Sequence, residues 1–337
     1  SNAPVYVMSV NEVNVVLADQ TQNYLYDATT YVYDDPEVDD PNAALFSKDT
    51  MTISGTGALT VYGNYNDAIT SKDELTITGG TIEVIAFDDG IRGKDYLLIE
   101  NGNITATTGG DGLKSDNEDD PELGYITIEN GIIDIDAGGD AIAAETDVVI
   151  TGGDFTLVSG GGHNVTIPED LSAKGIKGQV SVVVEGGTFV MDCADDGVHS
   201  NDTIIINGGD FTIATGDDGM HSDVVMEING GTIVVTASYE GLESADLTIN
   251  DGTIHVTSSD DGINGAGGVD GSGWPPPPPG DYFLYINGGY IVVNAAGDGI
   301  DVNGDIVMTG GTVIVHGPTA DFDGPLDYDG TFNISGG

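Results

Sequence analysis

The heptapeptide Ala194-Asp195-Asp196-Gly197-Val198-His199-Ser200 returns 22 residues later as Gly216-Asp217-Asp218-Gly219-Met220-His221-Ser222. A fixed period near 22 with occasional insertions is typical of a solenoid, in which each repeat buries its apolar face by stacking on its neighbours. The same signal, an acidic residue followed by a small and then an apolar residue, recurs at Asp67-Ala68-Ile69, Asp89-Gly90-Ile91, Asp111-Gly112-Leu113, Asp140-Ala141-Ile142, Glu240-Gly241-Leu242, Asp261-Gly262-Ile263 and Asp298-Gly299-Ile300.

A second phrase, Leu75-Thr76-Ile77-Thr78-Gly79-Gly80-Thr81-Ile82-Glu83-Val84-Ile85-Ala86, lies between the acidic corners and also returns. Its alternation of apolar and polar residues predicts two strands, and Gly-Gly supplies a corner with positive φ. Such short repeats leave no room for a helix, so strands of successive repeats must pair in parallel. The sequence therefore predicts an all-β, right-handed parallel β-helix of about ten or eleven coils, with the hand expected from parallel crossovers.

The organisation along the chain follows from where the repeat is regular. Ser1-Asn2-Ala3 looks like the remnant of a cleaved tag, and residues 1–44 are expected to form an N-terminal cap and an acidic loop, followed by a β-helix over 45–337. Cys193 falls at a small, inward position and is expected to be an inert core residue. Six asparagines are expected to stack beside the glycine corner: Asn101, Asn130, Asn207, Asn229, Asn250 and Asn287.

The charge is extreme, with 57 acidic residues against 7 basic ones and a net charge of −50. Nucleic acids and anionic membranes both require basic patches, so neither is an expected partner. The sequence has no apolar run of the length that spans a bilayer, so membrane insertion is not expected. A monomer is expected for a capped solenoid.

Stacking places carboxylates in register about 4.8 Å apart, where each pair repels by roughly 3.5 kcal/mol at an effective dielectric constant of 20. Converging oxygen ligands favour calcium, which takes six to eight of them in flexible geometry. The alternative is a solvated acidic edge that discourages aggregation. Twelve candidate calcium ligands follow from the corners: Asp88, Asp89, Asp111, Asp116, Asp195, Asp196, Asp217, Asp218, Glu240, Glu243, Asp260 and Asp261.

Sugar-binding candidates come from exposed aromatic and basic positions. An insertion over Ala266–Asp281 holds Trp274, followed by five prolines, and this stiff segment could present the indole to a sugar ring or serve as a spacer. The remaining candidates are Tyr96, Tyr125, Tyr239, Arg92, Lys114, His199 and His221.

The repeated pattern resembles a known family. The phrases over Asp88–Gly93 and Leu75–Ala86 are similar to those of secreted carbohydrate-binding β-helix proteins of the clostridial type, over roughly residues 45–337. The resemblance implies a shape related to calcium-dependent pectate lyases, an extracellular or cell-surface location, and binding of cellulose and acidic sugars such as polygalacturonate. The favoured prediction is a non-catalytic, calcium-binding protein that binds plant-type polysaccharide.

Two other functions stay open at this point. A pectate-type lyase would use calcium with a basic residue as the proton acceptor, and Lys174 or Lys177 would have to be that base. Lys174 aligns with the acidic corners themselves, however, and neighbouring carboxylates should raise its pKa, which is wrong for a base. The third possibility is a cell-surface adhesin or structural stalk.

Overall fold

The computed structural model describes residues 2–33, 40–168, 170–266, 282–318 and 323–335. A typical coil has three strands, here called the corner, middle and return strands, and each pairs in parallel with its counterpart in the next coil. In one such coil, Ile91 lies opposite Ile69, Leu97 opposite Leu75 and Ile104 opposite Ile82. The predicted all-β parallel β-helix is therefore confirmed, while its right hand stays a prediction.

The strands form three ladders. The corner strands are Val5–Val7, Ala43–Ser47, Asp67–Ser71, Ile91–Gly93, Leu113–Ser115, Ile142–Ala144, Ile176–Gly178, Val198–Ser200, Ile263–Gly265, Ile300–Val302 and Asp327–Tyr328. The middle strands are Val13–Leu17, Met51–Gly55, Glu74–Ile77, Tyr96–Ile99, Tyr125–Ile128, Asp147–Ile150, Ser181–Val184, Thr203–Ile206, Phe283–Ile286, Asp305–Met308 and Phe332–Ile334. Two longer strands occupy the corner and middle positions together, Met220–Ile228 and Leu242–Ile249. The return strands are Gln22–Tyr26, Ala58–Gly63, Thr81–Ala86, Asn103–Thr108, Ile132–Ala137, Asp154–Ser159, Thr188–Cys193, Asp210–Thr215, Thr232–Ala237, Thr253–Ser258, Tyr290–Ala295 and Thr312–His316.

The core is one continuous column inside the coils. Alternate strand residues point inward, so that Ile77, Ile99 and Ile128 stack in register with no exposed surface. Phe155, Phe189 and Phe211 form a second stack, with ring centroids 4.6 and 4.4 Å apart. Burying each such side chain contributes roughly 1.5–3 kcal/mol, which makes the stacking of coils the main source of stability.

The glycine corner joins the middle and return strands as predicted. The second glycine has positive φ, for example 116° at Gly187 and 109° at Gly209, a conformation that other residues adopt only with strain. Beside it the amides of Asn229, Asn250 and Asn287 each donate to the asparagine of the preceding coil over 2.7–2.9 Å. Asn101 and Asn130 instead accept a hydrogen bond from the glycine that follows each of them.

The N-terminal segment differs from the expected cap. Its three strands pair in parallel with those of the following coil, so it is itself a coil, and residue 44 lies inside a corner strand. Gln20, with φ of 59°, replaces the Gly-Gly pair at the bend and hides the repeat. The return sheet has twelve strands in the described residues, which gives twelve coils instead of ten or eleven.

Two smaller expectations concern single features. Cys193 is fully buried, and burial raises the pKa of its thiol to about 12, as an inert core position requires. Across the described ranges, we find no helix with the length and apolar character needed to cross a bilayer.

Candidate functional site

From the third coil onward, one position in each coil forms a row of mostly acidic residues, here called the acidic ladder. Its members are Asp67, Asp89, Asp111, Asp140, Asp196, Asp218, Glu240, Asp261 and Asp298, with Lys174 in place of an acid between Asp140 and Asp196. Most of these side chains are buried. In most coils the carboxylate accepts a hydrogen bond from the backbone N–H of the next ladder residue, for example 2.9 Å from Asp111 to Asp89 and 3.0 Å from Glu240 to Asp218. The ladder acids therefore connect successive coils.

The glycine after the ladder acid is required by close approach of the next coil. A Cβ on Gly197 would lie 2.5 Å from the carbonyl oxygen of Gly219, and one on Gly219 would lie 2.5 Å from that of Gly241. These carbonyls lie at the contact between successive coils. They accept hydrogen bonds between coils, as Gly219 does from the N–H of Val198 at 3.3 Å.

The residue three positions after the ladder acid, here called the flanking position, carries a cation in several early coils. Lys114 Nζ lies 3.0 Å from Asp89 and 2.9 Å from Asp111. Arg92 forms a bidentate pair with Asp116, with distances of 2.6 and 2.9 Å. Lys114 thus pairs with Asp89 and Asp111, and Arg92 pairs with Asp116. The predicted ligands Asp88, Asp89, Asp111 and Asp116 lie in none of the described groups whose possible metal-binding atoms are within 4.8 Å of one another.

Lys174 and Lys177 are held in the same way. Lys174 Nζ donates to Asp195 and Asp196 at 2.7 Å each, and Lys177 Nζ lies 3.3 Å from Asp140. Burial disfavours the Lys174 ammonium, but Asp196 and Asp195 outweigh it and raise the pKa of Lys174. The predicted rise in this pKa is therefore confirmed.

The later coils lack this neutralisation in the described residues, because the flanking positions after His221 are Glu243, Asn264 and Asp301. Burial and the charges of Asp196 and Glu240 raise the pKa of Asp218 well above its usual range. Burial, followed by the charge of Glu243, raises the pKa of Glu240 to about 9. The described later coils therefore lack the paired cations of the early coils, although burial and the charge of Asp89 also raise the pKa of Asp67, in an early coil, to about 7.

Four groups of side chains bring possible metal-binding atoms within 4.8 Å of one another in the described residues. They are Asp195, Asp196 and Asp217; Asp196, His199 and His221; Asp218, His221 and Glu243; and Asp298, Asp301 and Asp327. The predicted ligands Glu240, Asp260 and Asp261 lie in none of these groups.

The last of these groups was not predicted from the sequence. Burial and the charges of Asp298 and Asp327 raise the pKa of Asp301 to about 6. Asp327 lies opposite Asp301 in the corner ladder, but an insertion separates their coils and obscures this register. The signal that could have found Asp327 is its flanking position after Gly324-Pro325-Leu326.

The aromatic candidates have different environments. Tyr96 and Tyr125 stack with centroids 5.2 Å apart, and burial together with Glu74 raises the pKa of Tyr96 to about 12. Tyr239 is partly buried at an acidic corner, and Trp274 lies outside the described residues. His199 and His221 lie edge to face 5.1 Å apart, each beside its own ladder acid.

A tyrosine pair on the return sheet was not predicted as a site. Tyr26 and Tyr62 lie opposite each other and stack at 4.4 Å, and Tyr26 is 58% exposed. Tyr26 lies in the first coil, which the repeat pattern did not reveal, and Tyr62 lies in the second. Parallel exposed rings of this kind are suited to contact with the faces of sugar rings.

The insertion before Lys174 forms one wall of a cavity of about 530 Å³. His163, Ile167 and Leu171 line it from the insertion, and Asp195 and Asp217 line it from the ladder side. His163 Nδ1 is 2.7 Å from Asp192 Oδ1, a contact that holds the insertion against the return strand Thr188–Cys193. The cavity is large enough for a sugar unit beside the acidic corner.

The parallel coils and the acidic ladder define the class of protein: an acidic parallel β-helix with an exposed sheet face and a row of carboxylates. Residues 1–219 and 218–323 match the model of the family described as carbohydrate-binding domain-containing protein. The chain belongs to this family, which confirms the predicted carbohydrate-binding relationship.

Two relatives give further comparisons. Over 85 residues the chain is 45% identical to a carbohydrate-binding domain-containing protein of Acetivibrio thermocellus, a match that covers 25% of this chain and 30% of that protein. A gadolinium derivative of the polysaccharide lyase-like protein from C. thermocellum shares 35% identity with a TM-score of 0.43, covering 57% of this chain and 68% of that one. The chain thus matches less than a third of the A. thermocellus protein.

Proposed function

We propose that this carbohydrate-binding protein acts outside the cell as a calcium-dependent, non-catalytic binder of acidic polysaccharide such as polygalacturonate, and that it does so as a monomer. The observation that carries the proposal is the loss of neutralising cations along the acidic ladder after His221. A polyuronate would be repelled by these carboxylates unless a bound cation joined the two. Calcium suits this role because it can keep open positions for ligand oxygens.

The calcium site supported best is formed by Asp298, Asp301 and Asp327. Its oxygens converge within 4.8 Å, Asp298 and Asp301 are partly exposed, and Asp327 is exposed. Hard carboxylate oxygens are the ligands calcium prefers, and the open side leaves room for water or a sugar carboxylate. Such a site fits the weak affinities typical of extracellular calcium modules, about 10⁻⁴ to 10⁻³ M.

The contacts of the lysines favour binding over lyase activity. A base must reach a substrate proton and be deprotonated, yet Lys174 is 13% exposed and bonded to two carboxylates that raise its pKa. Lys177 contacts Asp140 and Ser172. Lys177 lines a cavity of about 180 Å³, but its ammonium is paired there with Asp140. These pairings favour binding without turnover.

The test is electrophoresis through gels that contain polygalacturonate or a soluble cellulose derivative, each run with calcium and with chelator. We expect calcium-dependent retardation in the polygalacturonate gel, lost in Asp301→Asn. Asp134→Asn is the matched control, because Asp134 is an exposed acid on the return sheet and its replacement removes the same charge elsewhere.

Three results would overturn the proposal. Unchanged migration in every gel would exclude polysaccharide binding of this kind and favour an adhesin. Retardation that persists in chelator would exclude a calcium bridge. Release of unsaturated products from polygalacturonate, followed by ultraviolet absorbance, would replace the binding function with the lyase.

A further inference from the structure

We propose that Asp218, His221 and Glu243 form a binding site for a transition-metal ion of the zinc class, separate from the all-carboxylate calcium site. The site lies where the flanking residues of the acidic ladder change from basic to acidic, at His221 and Glu243. It is independent of carbohydrate binding.

The spacing of the three side chains is that of metal ligands. His221 Nδ1 lies 3.4 Å from Asp218 Oδ2 and 3.8 Å from Glu243 Oε2. Both separations exceed the usual range of N–H···O hydrogen bonds. Two ligands of a tetrahedral zinc ion with bonds of 2.0–2.1 Å are about 3.4 Å apart, so a small inward movement would complete the site.

His199, one coil earlier, shows a histidine whose two ring nitrogens both have hydrogen-bond partners. His199 Nδ1 is 2.8 Å from Asp196, and its Nε2 is 3.0 Å from Asn201. Asp196 also accepts from Lys174 at 2.7 Å. His199 and Asp196 are therefore already committed to hydrogen bonds, and of the two sets that share His221, the one with Asp218 and Glu243 is better suited to an ion.

The surroundings hold the proposed ligands in place. The side chains of Asp218 and Glu243 are 4% and 1% exposed, while His221 at 16% leaves access for a water molecule as fourth ligand. Asp218 is oriented by the N–H of Glu240, which donates to its Oδ1 over 3.0 Å. The buried Nε2 of His221 has no hydrogen-bond partner and lies 3.4 Å from Asp223 Oδ1, the position of an outer carboxylate that orients a metal-bound histidine.

The atoms available as metal ligands indicate which kind of ion the site would bind. Calcium takes oxygen ligands, whereas imidazole suits zinc, copper, iron and nickel. Two carboxylates would balance the charge of one divalent ion. A nitrogen ligand among buried carboxylates therefore separates this site from the other corners.

The experiment is calorimetric titration of Zn²⁺ into chelator-stripped protein, in buffer with millimolar calcium and no polysaccharide. We expect one zinc equivalent per chain, lost in His221→Gln and Glu243→Gln and retained in His199→Gln, the matched control one coil away. Asp223→Asn should weaken zinc binding by about 10–100-fold. Co²⁺ in place of Zn²⁺ should give the absorption bands of a tetrahedral ion.

The outcomes separate this site from the proposed function. Asp301→Asn should abolish calcium-dependent retardation and leave zinc binding intact. Zinc uptake that is absent, or equally reduced by His199→Gln and His221→Gln, would overturn the site whatever the polysaccharide result. Asp223 is partly exposed, so the Asp223→Asn variant remains informative if Glu243→Gln does not fold.

Discussion

The coils before His221 and those after it share one backbone plan but balance the charge of the acidic ladder differently. Before His221 the acids meet Arg92, Lys114, Lys174 and Lys177 at distances of 2.6–3.3 Å. After it the flanking residues are acidic or neutral, and the pKa values of Glu240, Asp261 and Asp301 rise to about 9, 7 and 6. Burial also raises the pKa of Asp67, in an early coil, to about 7, so what distinguishes the two parts is the set of basic side chains paired with the acids. A solenoid can thus keep its fold while only one part of it carries counterions within the chain.

The largest expected effect is loss of stability in Lys174→Met. Removing the ammonium leaves Asp195 and the buried Asp196 without their main partner, and breaking a buried ion pair in this way costs about 3–5 kcal/mol. Denaturant unfolding measures the change. Lys94→Met is the control, because its partner Asp119 is 89% exposed and such pairs contribute about 0–1 kcal/mol. Equal losses in both variants would contradict a stabilising role for the buried cation in the early coils.

A second test uses the pH dependence of calcium-free protein. Carboxylates with raised folded pKa values bind more protons when folded, so their contribution to stability is complete below about pH 4 and lost as the pH rises. We expect the midpoint of thermal unfolding to fall between about pH 5 and 9, and calcium to reduce this slope. Glu240→Gln should flatten the upper part of the curve. A midpoint that rises over this range would contradict uncompensated charge in the later coils.

The smallest expected effect comes from placing a basic flanking residue, as found in the early coils, in a later coil. Asp301→Lys places an ammonium beside Asp298, as Lys114 lies beside Asp111 at 2.9 Å. We expect calcium-free protein to gain up to about 1 kcal/mol and to lose most of its stabilisation by calcium. Thermal melts with and without calcium measure both quantities, and Asp134→Lys controls for total charge. Undiminished stabilisation by calcium would place the ion elsewhere.

The fold could be predicted because its cause is periodic. The 22-residue step fixes the register of Val198 on Met220, and alternation fixes which side chains face inward. The first coil could not be predicted, since Gln20 stands where the later bends have glycine.

The site was predictable only in part. Asp195 and Asp196 look alike in sequence, but in the structure only Asp196 is almost completely buried and bonded to the next coil through its side chain. The i+3 spacing of Lys114 and Asp111 was visible, yet its consequence depends on burial. Asp327 was hidden because an insertion interrupts the period before its coil.

In most coils of the acidic ladder, the backbone N–H of a ladder residue donates to the carboxylate of the preceding coil. Such a coil presents an acceptor to the coil that comes after it, so order can spread stepwise from coil to coil. A duplicated 22-residue segment could donate its backbone N–H to the carboxylate of the preceding coil. Its own ladder carboxylate could then accept a hydrogen bond from the following coil. This polarity gives the protein a simple route to change its length, by copying a unit without inventing a new contact.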